Sequence, residues 1–88
     1  MNIAVVGLGF VGLSISSVLA SKNYNVVGID IDNQKCSDIR NGVLSLFEPD
    51  LENTLRIGLK KKLTISNNFS LIKNCDMIFV TVGTPQKS

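Results

Sequence analysis

The sequence predicts an α/β fold built on a doubly wound parallel sheet, and three observations lead to that prediction. Short apolar runs rich in β-branched residues alternate with segments of helical periodicity, a pattern typical of parallel strands joined by right-handed crossovers. The first apolar run leads into glycines spaced G-x-G-x-x-G, at positions 7, 9 and 12. The second run ends in Asp30, at about the 20-residue distance from these glycines at which dinucleotide-binding folds carry an acid. We therefore expect part of a Rossmann-type sheet with about four strands.

Composition excludes several classes of protein. The 88 residues allow one domain at most, with 44% hydrophobic residues and a net charge of +2. There is no histidine, and the two cysteines, Cys36 and Cys75, lack the spacing of metal ligands, so no metal site is expected. No apolar stretch approaches the roughly 20 residues of a membrane span, and the first residues are not typical of a signal peptide, so a cytoplasmic protein without a membrane partner is expected. The run Lys60–Lys62 lacks interleaved aromatic residues, which favours a solvated helix end over a nucleic-acid partner.

The first predicted strand and helix surround the glycines. The continuous apolar run Ile3–Val6 predicts a central strand covered on both faces. A helix is expected from about Phe10 to Lys22, followed by Asn23 in a left-handed cap. Small serines at positions 14, 16 and 17 would allow close packing of this helix. Its apolar face is expected to consist of Val11, Ile15, Val18 and Leu19.

The second strand is predicted over Asn25–Asp30, because β-branched residues dominate this stretch. Asp32 is expected to cap a short second helix that runs to about Arg40 and ends at Asn41-Gly42. An irregular stretch, Val43–Asp50, follows, and Pro49 marks a break in it.

Leucines at positions 51, 55 and 59 predict a third helix over Leu51–Lys61. A short third strand follows at Leu63–Ile65. One or two helical turns are expected over Asn68–Asn74, with Phe69 and Ile72 turned inward.

The last predicted strand, Met77–Val82, would lie at an exposed edge, and the turn Gly83–Pro85 follows it. The expected strand order is third, second, first, fourth, which places the topological switch point between the first and fourth strands. Ligands of such folds bind there, outside the carboxyl ends of the strands. Gly7–Gly12 and Gly83–Pro85 are therefore expected to meet in one crevice.

The glycine motif predicts a dinucleotide site, since each glycine has a physical task at a strand-to-helix turn. Gly7 allows the tight turn, Gly9 allows a pyrophosphate to approach the backbone, and Gly12 allows the helix to pack closely on the strand. The unpaired N–H groups of the first helical turn and the helix dipole favour an anion at this position. The alternative is that the three glycines only form a turn.

Asp30 is expected to accept hydrogen bonds from the adenosine ribose and to repel a 2′-phosphate, so NAD is favoured over NADP. A surface aspartate at a strand end is the alternative. Lys35 either reaches the ribose or the adenine edge or is solvated, and Glu48 and Asp50 are either paired acids or acids at a helix start. Both cysteines are expected to be small buried hydrophobes, so no catalytic residue is predicted within the chain.

The chain resembles the amino-terminal NAD-binding part of the UDP-glucose/GDP-mannose dehydrogenase family along all of its 88 residues. The more specific matches are Phe10–Leu13, Asn41-Gly42 with Glu48-Pro49 after it, and Thr84-Pro85. The chain departs from the family pattern at Asn23 and at Asp50, where glycine is usual. The other matching residues are Ile3–Gly9, Val26–Asp32 and Lys35.

The resemblance implies an NAD site in which the backbone N–H groups of Phe10 and Val11 hold the pyrophosphate. Asp30 and Lys35 would hold the adenosine ribose, and Thr84 would lie beside the cofactor. The full set of implied cofactor-binding residues is Gly7, Gly9, Phe10, Val11, Gly12, Asp30, Ile31, Lys35, Val82, Gly83 and Thr84.

The resemblance also implies an activity for a longer protein. The family takes the C6 alcohol of a nucleotide sugar to a carboxylate in two NAD-dependent oxidations, as in polysaccharide biosynthesis. Its catalytic Cys, Lys and Asn lie beyond residue 88, as do the central and substrate domains, and the full-length protein is expected to be a homodimer. Two alternatives remain: a stand-alone dinucleotide-sensing module without catalysis, and the NAD domain of another hydroxyacid-type dehydrogenase.

Overall fold

The structure, a computed structural model, describes residues 1–44 and 49–81, with Pro49 described by its backbone alone. Within these ranges there are four strands and three α-helices: one helix follows the first strand, two follow the second, and a 3₁₀ helix, Phe69–Asn74, precedes the last strand. The strands are β1 (Asn2–Val6), β2 (Asn25–Ile29), β3 (Leu63–Ser66) and β4 (Met77–Val80). The helices are α1 (Phe10–Ser21), α2 (Asn33–Arg40) and α3 (Pro49–Lys60). No helix within the described ranges is long and apolar enough to cross a membrane.

The sheet confirms the predicted topology. All three strand pairs are parallel, and the order is β3-β2-β1-β4. In register, Val6 at the end of β1 lies between Ile29 of β2 and Val80 of β4. The chain steps outward from β1 to β3 and then returns to the other side of β1, so the switch point lies between β1 and β4 as expected.

The core lies between one face of the sheet and the helices. Alternate strand residues, Ile3 and Val5 on β1 and Leu63 and Ile65 on β3, are buried against the helices because successive strand side chains point to opposite faces. Leu55 of α3 is completely buried among them. This core positions the carboxyl ends of β1 and β2, where the predicted site begins.

The structure contradicts the predicted apolar face of α1 at Val11 and Val18, whereas Ile15 and Leu19 pack against the core. Val11 is 59% exposed and Val18 is 43% exposed, and Ile15 and Leu19 are only partly buried. The buried residues of α1 are the small ones and one leucine: Gly12, Leu13, Ser16, Ser17 and Ala20.

The reason is the close approach of α1 to its neighbours. A Cβ added at Gly58 of α3 would lie 3.2 Å from the Cβ of Ala20 and 3.4 Å from the carbonyl oxygen of Ser17. Only small side chains fit between helices packed this closely, so steric fit rather than hydropathy decides which face of α1 is buried.

Two further local details, at Pro49 and Phe69, differ from the prediction, and one, at Asn23, agrees with it. Helix α3 begins at Pro49, which therefore starts the helix instead of breaking the chain before it. Proline suits this position because the first helical N–H has no partner within the helix. Phe69 was expected to point inward but is 40% exposed, since the short 3₁₀ helix buries none of its side chains completely. Asn23 confirms its predicted left-handed conformation, with φ of 75°.

Candidate dinucleotide-binding site

The chain turns sharply between β1 and α1, and the conformation of Gly7 makes this possible. Its φ of 94° is one that residues with a Cβ rarely adopt. The Gly7 N–H donates to the carbonyl of Ile29 at 2.8 Å, which fixes the turn to the end of β2. The predicted role of Gly7 in a tight turn is thereby confirmed.

Gly9 lies at the open tip of this turn. It is the N-cap residue of α1, and a Cβ added to it would have no atom within 4 Å. The Leu13 N–H donates to the carbonyl of Gly9 at 2.9 Å, so the hydrogen bonds of the helix begin at this residue. The free space over Gly9 and the first-turn amides of Phe10 and Val11 form a surface suited to an anion.

Gly12, unlike Gly9, is closely surrounded by other atoms of the chain. A Cβ added there would overlap the carbonyl oxygen of Gly7 and the hydroxyl oxygen of Thr81. The helix therefore packs against the turn as closely as the motif predicts.

Asp30 follows β2 and is hydrogen-bonded to the glycine turn. Its side chain is only 12% exposed. One carboxylate oxygen accepts from the N–H of Leu8 at 2.8 Å and the other accepts from the N–H of Asp32 at 3.0 Å. Asp30 is therefore a structural partner of the glycine turn as well as a candidate ribose ligand. Each carboxylate oxygen has two lone pairs, so capacity remains for ligand hydroxyls.

Opposing effects set the charge of Asp30. Burial raises the pKa of the Asp30 carboxyl, but hydrogen bonds from the Asp32 and Leu8 amides and the ammonium of Lys35 lower it more, and the net pKa is below its ordinary value. The group is ionised at neutral pH, which is the state that accepts ribose hydroxyls and repels a phosphate.

Lys35 lies in the first turn of α2, directed at Asp30. Its Nζ is 3.7 Å from the carboxylate of Asp30, and the side chain remains partly exposed. The backbone N–H of Lys35 donates to the side chain of Asp32 at 3.0 Å, which confirms Asp32 as the cap of α2. Both sequence-based alternatives for Lys35 are therefore compatible with its position, since it is partly solvated and also reaches the candidate site.

Apolar surface surrounds these polar groups. Ile31, directly after Asp30, is 79% exposed. On the other side, a cavity of about 250 Å³ lies between the glycine turn and the second helix. Leu8, Gly9 and Phe10 line it from the turn, and Lys35 and Ile39 line it from α2. An apolar wall beside a few placed polar groups is typical of cofactor sites.

Thr81 is the site residue that the sequence prediction missed. It follows β4, and its N–H donates to the carbonyl of Val6 at 2.8 Å. Its Oγ1 lies 2.7 Å from the carbonyl oxygen of Gly7. The available signal was a single polar residue near the carboxyl end of an otherwise apolar strand. Val82, Gly83 and Thr84, predicted at this same end, lie outside the described residues, as does Glu48.

The surroundings of the two cysteines do not favour the thiolate form. Cys36 is completely buried, with its sulfur 3.5 Å from the carbonyl oxygens of Asp30 and Ser66. Burial raises the pKa of the Cys36 thiol and of the half-buried Cys75 thiol.

Asp50 lies in the first turn of α3, as the helix-start alternative predicts. Residues 1–44 and 49–81 contain no group of three side chains that could hold a metal ion.

Comparison with known proteins gives consistent matches. Residues 1–88 match the family described as the UDP-glucose/GDP-mannose dehydrogenase family, NAD binding domain. A UDP-glucose 6-dehydrogenase of Bacillus subtilis is 39% identical over 90 aligned residues, which cover 100% of this chain and 20% of that protein. Among relatives of undetermined activity, a protein of Methanocaldococcus jannaschii is 44% identical over 86 residues, covering 98% of this chain and 10% of the relative.

A solved structure shares the fold. A ternary complex of GDP-mannose dehydrogenase from Pseudomonas aeruginosa superposes with a TM-score of 0.89 at 32% identity, covering 100% of this chain and 21% of that one. The chain thus spans about a fifth or less of the length of the proteins that it matches.

Proposed function

Because this chain belongs to the UDP-glucose/GDP-mannose dehydrogenase family, whose NAD binding domain it matches over residues 1–88, we propose that it is the coenzyme-binding part of a nucleotide-sugar 6-dehydrogenase. The observation that supports this proposal best is the pairing of Asp30 with the glycine turn. An ionised carboxylate held by the Leu8 amide lies beside a backbone that is open above Gly9. NAD needs a ribose acceptor and a phosphate approach of this kind.

The residues present fit NAD. The first-turn amides of Phe10 and Val11 would hold the pyrophosphate, with the dipole of α1 favouring its charge. Asp30 would accept from the adenosine ribose hydroxyls, and Lys35 would assist beside it. Ile31 would offer apolar surface to the adenine. When bound, NAD supplies the hydride acceptor for an oxidation.

For the full-length protein we propose a substrate, a location, an oligomeric state and a biosynthetic role. Its substrate would be a nucleotide sugar oxidised at the C6 alcohol, as the names of the matched dehydrogenases suggest. It would be a cytoplasmic homodimer that contributes to polysaccharide biosynthesis. We propose no nucleic-acid or membrane partner for it.

The 88-residue chain itself should catalyse no oxidation. The second oxidation of this chemistry needs a thiol that forms a covalent adduct. The thiol nearest the site, Cys36, is buried beneath Asp30, and burial raises its pKa. It therefore has neither the access nor the ionisation of a nucleophile.

Calorimetric titration of the purified chain with NAD and with NADP tests the proposal. NAD should bind, and NADP should bind much more weakly because a 2′-phosphate would approach the ionised Asp30. Equal affinities for NAD and NADP would contradict the role of Asp30 as the ribose acceptor. If NAD did not bind, the proposed function would be overturned.

A second test incubates the chain with NAD and UDP-glucose, GDP-mannose or UDP-N-acetylmannosamine and records NADH absorbance. We expect no turnover above that of a heat-denatured control. Turnover that copurifies with the chain would show that catalytic groups are present within these residues.

A further inference from the structure

The side chain of Thr81 joins the end of the last strand to Gly7 in the glycine turn, 74 residues away along the chain. Its Oγ1 is 2.7 Å from the carbonyl oxygen of Gly7 and 3.1 Å from that of Val6. The Val6 carbonyl already accepts the backbone N–H of Thr81 at 2.8 Å. Because a hydroxyl has a single hydrogen, the shorter contact assigns that hydrogen to the Gly7 carbonyl.

This contact lies where the turn is most constrained. Gly7 has a positive φ, and a Cβ at Gly12 would overlap both the Gly7 carbonyl and the Thr81 hydroxyl. The hydroxyl therefore occupies part of the space that Gly12 leaves open. The N–H side of Gly7 is bonded to Ile29, so the peptide groups of this residue are held from β2 on one side and from the end of β4 on the other.

We propose that Thr81 is a positioning residue for the dinucleotide cradle: its hydroxyl fixes the Gly7 carbonyl so that the amides after Gly9 stay directed at the pyrophosphate. This inference rests on the proposed NAD function. The hydroxyl touches the turn and not the ligand, so its effect is transmitted through the orientation of the backbone. A glycine turn is intrinsically adaptable, and a hydrogen bond that reduces its freedom lowers the entropic cost of binding.

The first experiment compares Thr81→Ser, which keeps the hydroxyl, with Thr81→Ala, which removes it. Amide hydrogen exchange is measured in the ligand-free chain, with the Leu8 and Leu13 amides as reporters. The Leu8 amide ties the turn to the Asp30 carboxylate, and the Leu13 amide donates to the carbonyl of Gly9 within the turn. In Thr81→Ala these two amides should exchange about fivefold faster, and in Thr81→Ser they should remain close to wild type. Thr64→Ala, at an exposed threonine of β3, is the matched control and should leave both amides unchanged.

The second experiment measures ligand binding by titration followed by NMR. Thr81→Ala should weaken NAD and ADP, which contain a pyrophosphate, about five- to tenfold, while adenosine should bind as it does to wild type. Thr81→Ser should restore the affinity for NAD and ADP. A general loss of structure would weaken all three ligands and would not be rescued by serine.

The outcomes separate the two proposals. Unchanged exchange of Leu8 and Leu13 in Thr81→Ala, or equal weakening of adenosine and ADP, overturns the positioning role of Thr81. Failure of the wild-type chain to bind either NAD or ADP overturns the proposed function, and the exchange comparison then decides the role of Thr81 in the turn by itself. If Thr81→Ala does not fold, exchange in Thr81→Ser at wild-type rates supports the proposal, and faster exchange in that variant overturns it.

Discussion

The base and the tip of the glycine turn use the same residue for opposite reasons. At the base, Gly7 is a glycine because its φ of 94° is one that residues with a Cβ rarely adopt. Gly12 is a glycine because the protein itself occupies the space that a side chain would need. At the tip, a Cβ on Gly9 would meet nothing within 4 Å. The glycine at the tip therefore leaves space for a molecule outside the chain. Stability and binding are consequently separable within six residues, and the following substitutions test that separation.

The largest effect should follow from Gly12→Ala. The added methyl would overlap the Gly7 carbonyl, and that backbone cannot yield without moving β1 or α1. We expect the free energy of unfolding to fall by about 3 kcal/mol or more, measured by urea denaturation. Gly9→Ala is the matched control and should stay within about 1 kcal/mol of wild type. Similar stability of the two variants would contradict the distinction between base and tip.

Gly9→Val should keep the stability of the chain but lose the binding of NAD. The branched side chain would project into open space, so the chain should fold with a stability close to wild type. It would fill the volume in which a pyrophosphate meets the first-turn amides, so calorimetry should detect no binding of NAD. Normal binding by this variant would mean that the tip glycine serves the turn alone.

Asp30→Ala should have an intermediate effect on binding. Loss of a charge-assisted hydrogen bond to the ribose should weaken NAD by about 1.5–3 kcal/mol and narrow the difference between NAD and NADP. Asp76→Ala provides the control, because the carboxylate of Asp76 accepts from the Asn2 amide at the opposite end of β1 and does not line the cavity beside the glycine turn. An equal loss of NAD affinity in both variants would indicate a general effect of removing a negative charge.

The smallest effect should appear in the pH dependence of stability. The pKa of Asp30 is lower in the folded chain than its ordinary value, because the amide hydrogen bonds and Lys35 outweigh burial. Its ionised form therefore stabilises the fold above the ordinary aspartate range, and that contribution is lost as the pH falls through the lower folded value. Asp30→Asn should accordingly show a flatter decline of unfolding free energy in acid than wild type. Parallel curves for the two proteins would show that Asp30 contributes nothing to the acid dependence.

The two outer strands of the sheet differ in the same way, because β3 alternates buried and exposed side chains whereas β4 leaves apolar side chains exposed. On β3, the core residues Leu63 and Ile65 alternate with the exposed Thr64. On β4, Met77, Ile78 and Val80 are apolar and exposed. Alternation is typical of a strand with one solvated face, whereas a run apolar on both faces is typical of a strand covered on both. The expectation of an exposed apolar edge at β4 is confirmed for these residues.

Local patterns were sufficient to predict much of the fold and the centre of the site. The spacing of Gly7, Gly9 and Gly12 predicted the turn, and the position of Asp30 after β2 predicted its place beside that turn. The cap at Asp32 and the left-handed Asn23 followed from the side chain at each position. These features depend on a few neighbouring residues, and such short-range constraints can be identified from sequence.

What the sequence by itself determined is therefore the order of elements, the strand topology and the glycine turn, because each follows from backbone geometry and local spacing. Tertiary structure alone decided which face of α1 is buried and which residue holds the turn. Val11 and Val18 are more hydrophobic than Ser17 and Ala20, yet the smaller residues are inside because α3, at Gly58, lies too close to them for larger side chains. Thr81 meets Gly7 only because β4 pairs beside β1 after the chain has returned across the sheet. Both outcomes depend on distances between segments far apart in the chain, and no local pattern contains those distances.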